Sequence, residues 1–185
     1  MKTKFLMKAS LMGLCLLASM EVSAKDYYLA PGGIGNGMTI DKPFGDPIKA
    51  FAALKAGDVL YVRGGTYHLS QTIKVNQTGT ADKRICVFAY PGDTERPVFD
   101  FSGQPRSTST EAASYRGVMH NIGANYWHYR GLDFCHAADN GMKLEGSYCV
   151  VELCRFYGNE DTGLQQGFGK DSKGNNTRNT EFKYG

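Results

Sequence analysis

A short internal repeat constrains this chain more than any other feature of its sequence. Residues 126–134 (YWHYRGLDF) align with residues 148–156 (YCVVELCRF) when the chain is shifted by 22 positions. Four positions are identical in the two copies: Tyr126 and Tyr148, Phe134 and Phe156, Asp139 and Asp161, and Gly141 and Gly163. A unit this short cannot bury its own apolar face, so each copy must stack on the next. The repeat therefore predicts a solenoid.

The composition of the two copies favours strands over helices. They are rich in Tyr, Trp, Val and Phe, glycines interrupt them, and helical repeats are normally longer. We therefore predict an all-β fold, a right-handed single-stranded parallel β-helix. Residues 126–144 and 148–166 should be successive coils, with Phe134 directly under Phe156. Two similar hairpins of a β-sandwich are the alternative.

The first 24 residues have the pattern of a signal peptide. A basic start is followed by an apolar run at 9–20 and by small residues up to Ala24. The run is shorter than the roughly 20 residues that cross a bilayer. We expect cleavage after Ala24, a secreted or periplasmic protein, and no membrane span.

Charge and cysteine content exclude some classes of partner. The net charge of +3 includes lysines of the leader, so the rest is nearly neutral and no basic patch indicates nucleic acid. Four cysteines follow the leader: Cys86, Cys135, Cys149 and Cys154. Their spacing matches no metal-binding pattern, and we expect buried free thiols rather than disulfides.

Residues 25–57 are predicted to form a first strand and a capping helix at 47–55. Asp46 can accept a hydrogen bond from the free amides of a first turn, and Pro47 suits the first helical position. Gly57 can provide a left-handed stop. The first coil of a solenoid exposes an apolar cross-section, which this short N-terminal α-helix should cover.

Residues 58–185 should form the coils. We predict strands at 58–63, 66–69, 72–75, 85–90, 97–101 and 117–122. The polar residues 102–116 should be a loop that leaves the solenoid. Residues 170–185 are polar and contain no amphipathic helix, so we expect an uncapped, frayed end prone to self-association.

Several motifs carry a resemblance to a known family. YYLAPGGIG at 27–35, PFGDPIKAFAALKAGD at 43–58 and YVRGGTY at 61–67 resemble the amino-terminal part of exported right-handed β-helix pectate lyases. WHYRGL at 127–132, followed by DNGM at 139–142, is similar to polysaccharide lyase family 9 in particular. The likeness covers nearly all of the chain after the leader.

The resemblance implies a substrate, a reaction and a cofactor. Such lyases cleave polygalacturonate, an acidic polysaccharide, by β-elimination: a base removes the proton beside the uronate carboxyl and the leaving oxygen departs. Calcium bridges enzyme carboxylates to the uronate and neutralises the developing charge. A lysine or arginine with a lowered pKa serves as the base.

The family's calcium corner is only partly present here. Family motifs such as DGFAAK and DDGWD correspond to 139–143 and 161–165, which keep the leading Asp139 and Asp161. The partner aspartates are replaced by Asn140, Lys143, Thr162 and Gln165. Asp139 and Asp161 are therefore the candidate metal ligands, and the alternative is that each caps its own turn through backbone amides.

Other residues with catalytic side chains have no recognisable partner. No Ser or Cys stands at a triad spacing from the four histidines, His68, His120, His128 and His136. Trp127 could stack on a sugar, but the repeat sets it opposite Cys149 and so predicts a core position. Lys143 should be an exposed strand lysine. Glu160 and Asp161 could be the pair of a glycoside hydrolase, although strand neighbours point to opposite faces.

The sequence thus predicts a pectate lyase-like protein whose catalytic coils are missing. Gly185 is reached before the family's complete calcium motifs and its base lysine would arrive, so we assign no catalytic residue. One alternative is a noncatalytic β-helix that binds glycans or serves a structural role. A polygalacturonase-like glycoside hydrolase is a further alternative.

Overall fold

A computed structural model describes residues 23–106, 115–167 and 181–183. Those residues form one helix and fourteen strands. The helix, α1, spans Pro47–Ala53. The first seven strands are β1 (Asp26–Leu29), β2 (Val59–Val62), β3 (Gly65–His68), β4 (Ile73–Val75), β5 (Ile85–Ala89), β6 (Pro97–Asp100) and β7 (Val118–His120). The others are β8 (Trp127–Arg130), β9 (Asp133–Cys135), β10 (Met142–Leu144), β11 (Val150–Glu152), β12 (Arg155–Tyr157), β13 (Leu164–Gln166) and β14 (Glu181–Lys183).

The strands stack into three parallel sheets, and each complete coil contributes one strand to each sheet. The first sheet has the order β1-β2-β5-β8-β11-β14, the second β3-β6-β9-β12, and the third β4-β7-β10-β13. Val150 pairs with His128 and Phe156 with Phe134, so the 22-residue shift is the coil-to-coil register. This arrangement confirms the predicted β-helix and its two successive coils.

The core contains a column of aromatic rings. Tyr67, Phe99, Phe134 and Phe156 stack in sequence on four coils, with neighbouring ring centroids 5.3 Å apart. Each offset-stacked pair contributes about 0.5–1.5 kcal/mol beyond the area that it buries. The predicted stacking of Phe134 under Phe156 is confirmed. Trp127 is also fully buried, which confirms its predicted core position.

Helix α1 begins where the sequence predicts and covers the first coil. The side chain of Asp46 accepts a hydrogen bond of 2.8 Å from the amide of Ile48, and Pro47 occupies the first turn. Phe51 inserts into the core, where its ring stacks on Trp127 with the centroids 6.3 Å apart. The helix therefore shields the apolar cross-section of the solenoid.

The predicted end of α1 at residue 55 is wrong. The helix ends at Ala53, and Leu54 already has an extended backbone. Gly57 does adopt a positive φ of 94°, but it lies beyond the helix. The side-chain amide of Gln77 donates to the carbonyls of Phe51 and Ala52, and so satisfies oxygens that a longer helix would have bonded itself.

The loop predicted at 102–116 does not leave the solenoid at its start. Gln104 is buried. Its side-chain Nε2 donates to the carbonyl of Arg116, and its side-chain Oε1 accepts from the backbone amide of Ala138. Residues 107–114 lie outside the described residues. At the other end, β14 adds a parallel strand to β11. The remaining residues of 168–185 also lie outside the described ranges, as does nearly all of the predicted leader.

The structure also describes the four cysteines that follow the predicted leader. All four described cysteines are free thiols; Cys135, Cys149 and Cys154 are buried, and Cys86 is half-buried. Among the described residues, no helix combines the length and apolarity needed to cross a membrane.

Candidate functional site

Three stacked turns form a polar corner that leads into the third sheet. We define the polar corner as Arg116, Asp139, Asn140 and Asp161, which precede β7, β10 and β13. Glycine follows in each turn because the backbones approach closely: a Cβ at Gly117 would lie 2.4 Å from the carbonyl oxygen of Gly141. The repeated glycine therefore brings the polar side chains of successive coils together.

A chain of polar contacts crosses the polar corner. The Nε of Arg116 donates to Asn140 Oδ1 at 3.1 Å, and Asn140 Nδ2 donates to Asp161 Oδ2 at 2.8 Å. Arg116 Nε also lies 3.1 Å from Asp139 Oδ2. That oxygen is buried and makes no hydrogen bond of acceptable geometry, so the contact is an ion pair only. Asn140, which is 1% exposed, thus links the arginine to the second carboxylate.

The two candidate metal ligands lie on adjacent coils with different partners. Asp139 faces the guanidinium of Arg116, whereas Asp161 accepts a hydrogen bond from Asn140. The backbone amide of Asp161 donates to the carbonyl of Asp139 at 3.3 Å. Within the described residues, Asp139 and Asp161 belong to no group of three or more His, Cys, Asp or Glu side chains that converge on one point.

Lys143 is not the exposed strand lysine that the sequence predicts. Its Nζ donates to Gln165 Oε1 at 2.7 Å and lies 3.3 Å from Glu145 Oε1, and 18% of its side chain is exposed. Glu145 therefore compensates the charge of Lys143. In the same column of the third sheet, Lys74 stands in register with Met119 and is exposed.

The described part of the chain offers no support for a glycoside hydrolase pair at 160–161. Glu160 forms an exposed ion pair with Arg106, and Asp161 bonds to Asn140. The two carboxylates thus have separate partners.

The histidines have mainly structural surroundings. His120 is fully buried between the carbonyl of Ala124, which faces Nδ1 at 3.1 Å, and the hydroxyl of Tyr129, which faces Nε2 at 2.6 Å. Burial lowers the pKa of His120 to about 3, so the ring is neutral with its proton on Nδ1. Nε2 therefore accepts from Tyr129. His128 bonds to Glu152 at 2.9 Å on the outer face of the first sheet.

Sequence reasoning missed a buried carboxylate held by two arginines. Asp133 is completely buried, and its Oδ1 lies 2.8 Å from Nε of Arg96 while its Oδ2 lies 2.9 Å from Nε of Arg155. The repeat could have revealed this contact, because the 22-residue shift sets Asp133 opposite Arg155. Opposite charges on neighbouring strands attract each other.

A second concave surface lies where the first and second sheets meet. A cavity of about 280 Å³ is lined by Tyr90, Arg96, Arg130 and Leu153, among others. The guanidinium of Arg130 lies 4.3 Å from the ring centroid of Phe88. This site combines the ring of Tyr90 and the guanidinium of Arg130 with Arg96, which is paired with Asp133, and with the acidic side chains of Asp93 and Glu95. The sequence did not predict it.

Comparisons with known proteins agree with this architecture. Residues 27–182 match the family model described as "Pel9A-like, right handed beta helix region". Pectate lyase L of Thermoclostridium stercorarium is 35% identical over 144 residues, which cover 75% of this chain and 10% of that protein. Pectate lyase L of Paenibacillus polymyxa (strain SC2) is 31% identical over 150 residues, covering 81% of this chain and 32% of that protein.

A solved structure shares the fold over a similar range. The crystal structure of pectate lyase Pel9A superposes with a TM-score of 0.61 at 27% sequence identity, over 80% of this chain and 38% of that one. The chain thus spans about a tenth to two fifths of the length of these three proteins. Because the family model matches most of the sequence, the chain belongs to the Pel9A-like right-handed β-helix family.

Proposed function

We propose that this chain supplies the amino-terminal coils of an exported pectate lyase-like protein that acts on polygalacturonate. Relatives of 31–35% identity bear the name pectate lyase, and the matching residues include the polar corner. In the whole protein the reaction would be calcium-dependent β-elimination. Export would follow from removal of residues 1–24 as a signal peptide.

The contact between Arg116 and Asp139 is the main observation behind a narrower proposal, that the polar corner of this chain does not bind calcium. Calcium takes six to eight oxygen ligands. The polar corner offers two carboxylate side chains, of which one faces a fixed guanidinium and the other bonds to Asn140. Arg116 thus supplies the positive charge that a cation would bring, and these side chains do not fit a calcium site. Asp139 and Asp161 are better explained as structural links between coils.

It follows that residues 25–185 alone should have little or no lyase activity. Without a calcium ion, the charge that develops in β-elimination is not neutralised, which costs several kcal/mol of transition-state stabilisation. The appearance of an unsaturated, ultraviolet-absorbing uronide that depends on calcium is the diagnostic measurement. It separates a lyase from a hydrolase, which releases reducing ends without that absorbance, and from a noncatalytic binder.

A noncatalytic glycan-binding role is the second candidate, and the cavity beside Tyr90 favours it. Aromatic rings stack on sugar rings, and guanidinium groups pair with carboxylates in a planar, bidentate geometry. Arg130 is exposed at the rim of this cavity. Affinity electrophoresis in gels with polygalacturonate should show retardation that Arg130→Ala weakens. Arg106→Ala, at an exposed arginine away from this cavity, is the matched control. Equal mobility of the chain with and without polygalacturonate would reject this role.

Self-association through the last coil is a further proposal for residues 25–185. Strand β14 pairs with β11 on one side. Leu153 and Tyr157, on the same coil as β11, are large apolar residues that are more than 40% exposed. Size-exclusion chromatography over a range of concentrations tests this proposal, since a stable monomer at every concentration would reject it.

A further inference from the structure

Three metal-ligating side chains converge on the outer face of the second sheet, and His68 lies beside one of them. The potential ligand atoms of Asp100, Cys135 and His136 all lie within 4.8 Å of one another. His136 Nδ1 lies 3.0 Å from Asp100 Oδ1, and His68 Nδ1 lies 3.3 Å from Asp100 Oδ2. We call these four residues the His-Asp-Cys cluster. It lies outside the polar corner and has no role in the function proposed above.

The strand register explains why residues so distant in sequence converge. His68 pairs with Asp100, and Asp100 pairs with Cys135, so three successive coils place these side chains in one outward column. His136 follows directly and has a positive φ of 57°. This left-handed backbone, uncommon for a residue other than glycine, turns the imidazole back over the carboxylate of Asp100. A local sequence pattern cannot reveal such a site because its residues come from three coils.

The types of these side chains select a particular class of metal ion. A thiolate, imidazole nitrogens and a carboxylate are the ligands that zinc prefers, usually four in a tetrahedron. Bonds of about 2.0–2.3 Å place the ligand atoms of such a site roughly 3.3–3.8 Å apart. The ligand atoms of Asp100, Cys135 and His136 all lie within 4.8 Å of one another, so their separations exceed those of a bound zinc site by at most about 1 Å.

Asp100 is also held in place from the backbone. Its Oδ1 accepts a hydrogen bond of 3.0 Å from the amide of Ser102, and 15% of its side chain is exposed. Contacts of this kind orient a ligand before the metal arrives. The ring of His136 is flanked on its other side by Tyr157, with the centroids 6.0 Å apart.

We propose that the His-Asp-Cys cluster binds one zinc ion through Asp100, Cys135 and His136, with His68 as the fourth ligand. The ion would join three successive coils and so act as a structural clamp. A ligand that binds only the folded state stabilises it by mass action. Zinc should therefore raise the unfolding temperature of the chain.

Zinc affinity is measured on the purified chain by competition with a chromophoric chelator. Cobalt(II) substitution provides a second readout, because a thiolate ligand gives a charge-transfer absorption band in the near ultraviolet. We expect one ion per chain and a cobalt band that Cys135→Ser abolishes. Cys86→Ser, at a half-buried cysteine of the first sheet, is the matched control and should keep the band.

A second variant separates loss of the site from loss of the fold. One coil later the position of His136 is occupied by Gly158, which has the same left-handed backbone with a φ of 64°. His136→Gly should therefore keep the same fold, lose only the stability that its contact with Asp100 contributes without metal, and bind zinc at least tenfold more weakly. His128→Ala should bind as the unmodified chain does. Absence of stoichiometric zinc binding, or unchanged affinity in both Cys135→Ser and His136→Gly, would overturn the proposal.

Discussion

The guanidinium of Arg116 lies 3.1 Å from the carboxylate of Asp139, which stands one coil further along the solenoid. Asp161 follows on the next coil, so two carboxylates of like charge stand in successive turns. Like charges in neighbouring turns would destabilise the stack. The guanidinium of Arg116 pairs with the first carboxylate, and the neutral amide of Asn140 donates to the second, which reduces this repulsion.

The first prediction is that Arg116→Ala destabilises the fold. The substitution leaves Asp139 Oδ2 buried without its counter-charge and removes the hydrogen bond to Asn140. We expect a loss of about 1–3 kcal/mol in the free energy of unfolding, measured by urea denaturation. Arg106→Ala is the control, because its ion pair with Glu160 is more than half exposed and should contribute under about 1 kcal/mol. Equal losses in the two variants would contradict the assigned role of Arg116.

A second prediction concerns the dependence of stability on pH. The folded-state pKa of His120 is lowered to about 3 by burial, whereas the unfolded chain protonates it near 6.5. Between these values only the unfolded state binds the proton. The stability that neutral His120 provides is therefore present above pH 6.5 and is lost as the pH falls towards 3, at about 1.4 kcal/mol per pH unit.

The variant His120→Gln should remove this contribution. Between pH 6 and pH 4 the free energy of unfolding of the variant should fall less steeply than that of the unmodified chain. The difference in slope should be about 1.4 kcal/mol per pH unit, which corresponds to one proton. Ile34→Ala, at a fully exposed side chain that binds no proton, should leave the slope of the unmodified chain nearly unchanged. Identical slopes in His120→Gln and the unmodified chain would show that His120 is protonated in the folded state.

The third prediction links signal-peptide removal to stability. The backbone nitrogen of Lys25 donates to the buried carboxylate of Asp58 at 2.9 Å, and the amide of Lys55 donates to the same group. Cleavage after Ala24 would convert the first of these donors into a charged α-amino group. The buried carboxylate would then form an ion pair with the amino group in place of a hydrogen bond from a neutral amide.

A chain that begins at Lys25 should therefore be more stable than one that retains Ser23 and Ala24, by about 1 kcal/mol at pH 7. Thermal unfolding of the two proteins measures the difference. Acetylation of the α-amino group of Lys25 is the matched control, because it keeps the backbone N–H donor and removes its charge. An acetylated protein as stable as the free amine would contradict this prediction.

The sequence predicts the coils well because their register depends on the repeat itself. Tyr126 and Tyr148, paired by the 22-residue shift, stack with ring centroids 4.8 Å apart. The start of α1 was equally predictable, since Asp46 caps it locally. In contrast, the helix ends early where Gln77, from a later segment, satisfies its last carbonyls. No local pattern encodes that contact.

The candidate site was less predictable for the same reason. Asp139 and Asp161 were found because they recur in phase, but the sequence gives no sign that Arg116 would face Asp139. Arg116 lies at the edge of the segment predicted as a loop. The side chain of Gln104, twelve residues earlier, donates to the backbone carbonyl of Arg116. Contacts that depend on where a long connection rejoins the solenoid require the three-dimensional structure.

Lyase activity of residues 25–185 tests the central claim most directly. The purified chain would be incubated with polygalacturonate and millimolar calcium while the unsaturated product is followed by its ultraviolet absorbance. Because Arg116 and Asn140 occupy the contacts of Asp139 and Asp161, we predict no product above the rate without protein. Robust calcium-dependent activity that Asp139→Ala or Asp161→Ala abolishes would contradict this account and identify both residues as calcium ligands.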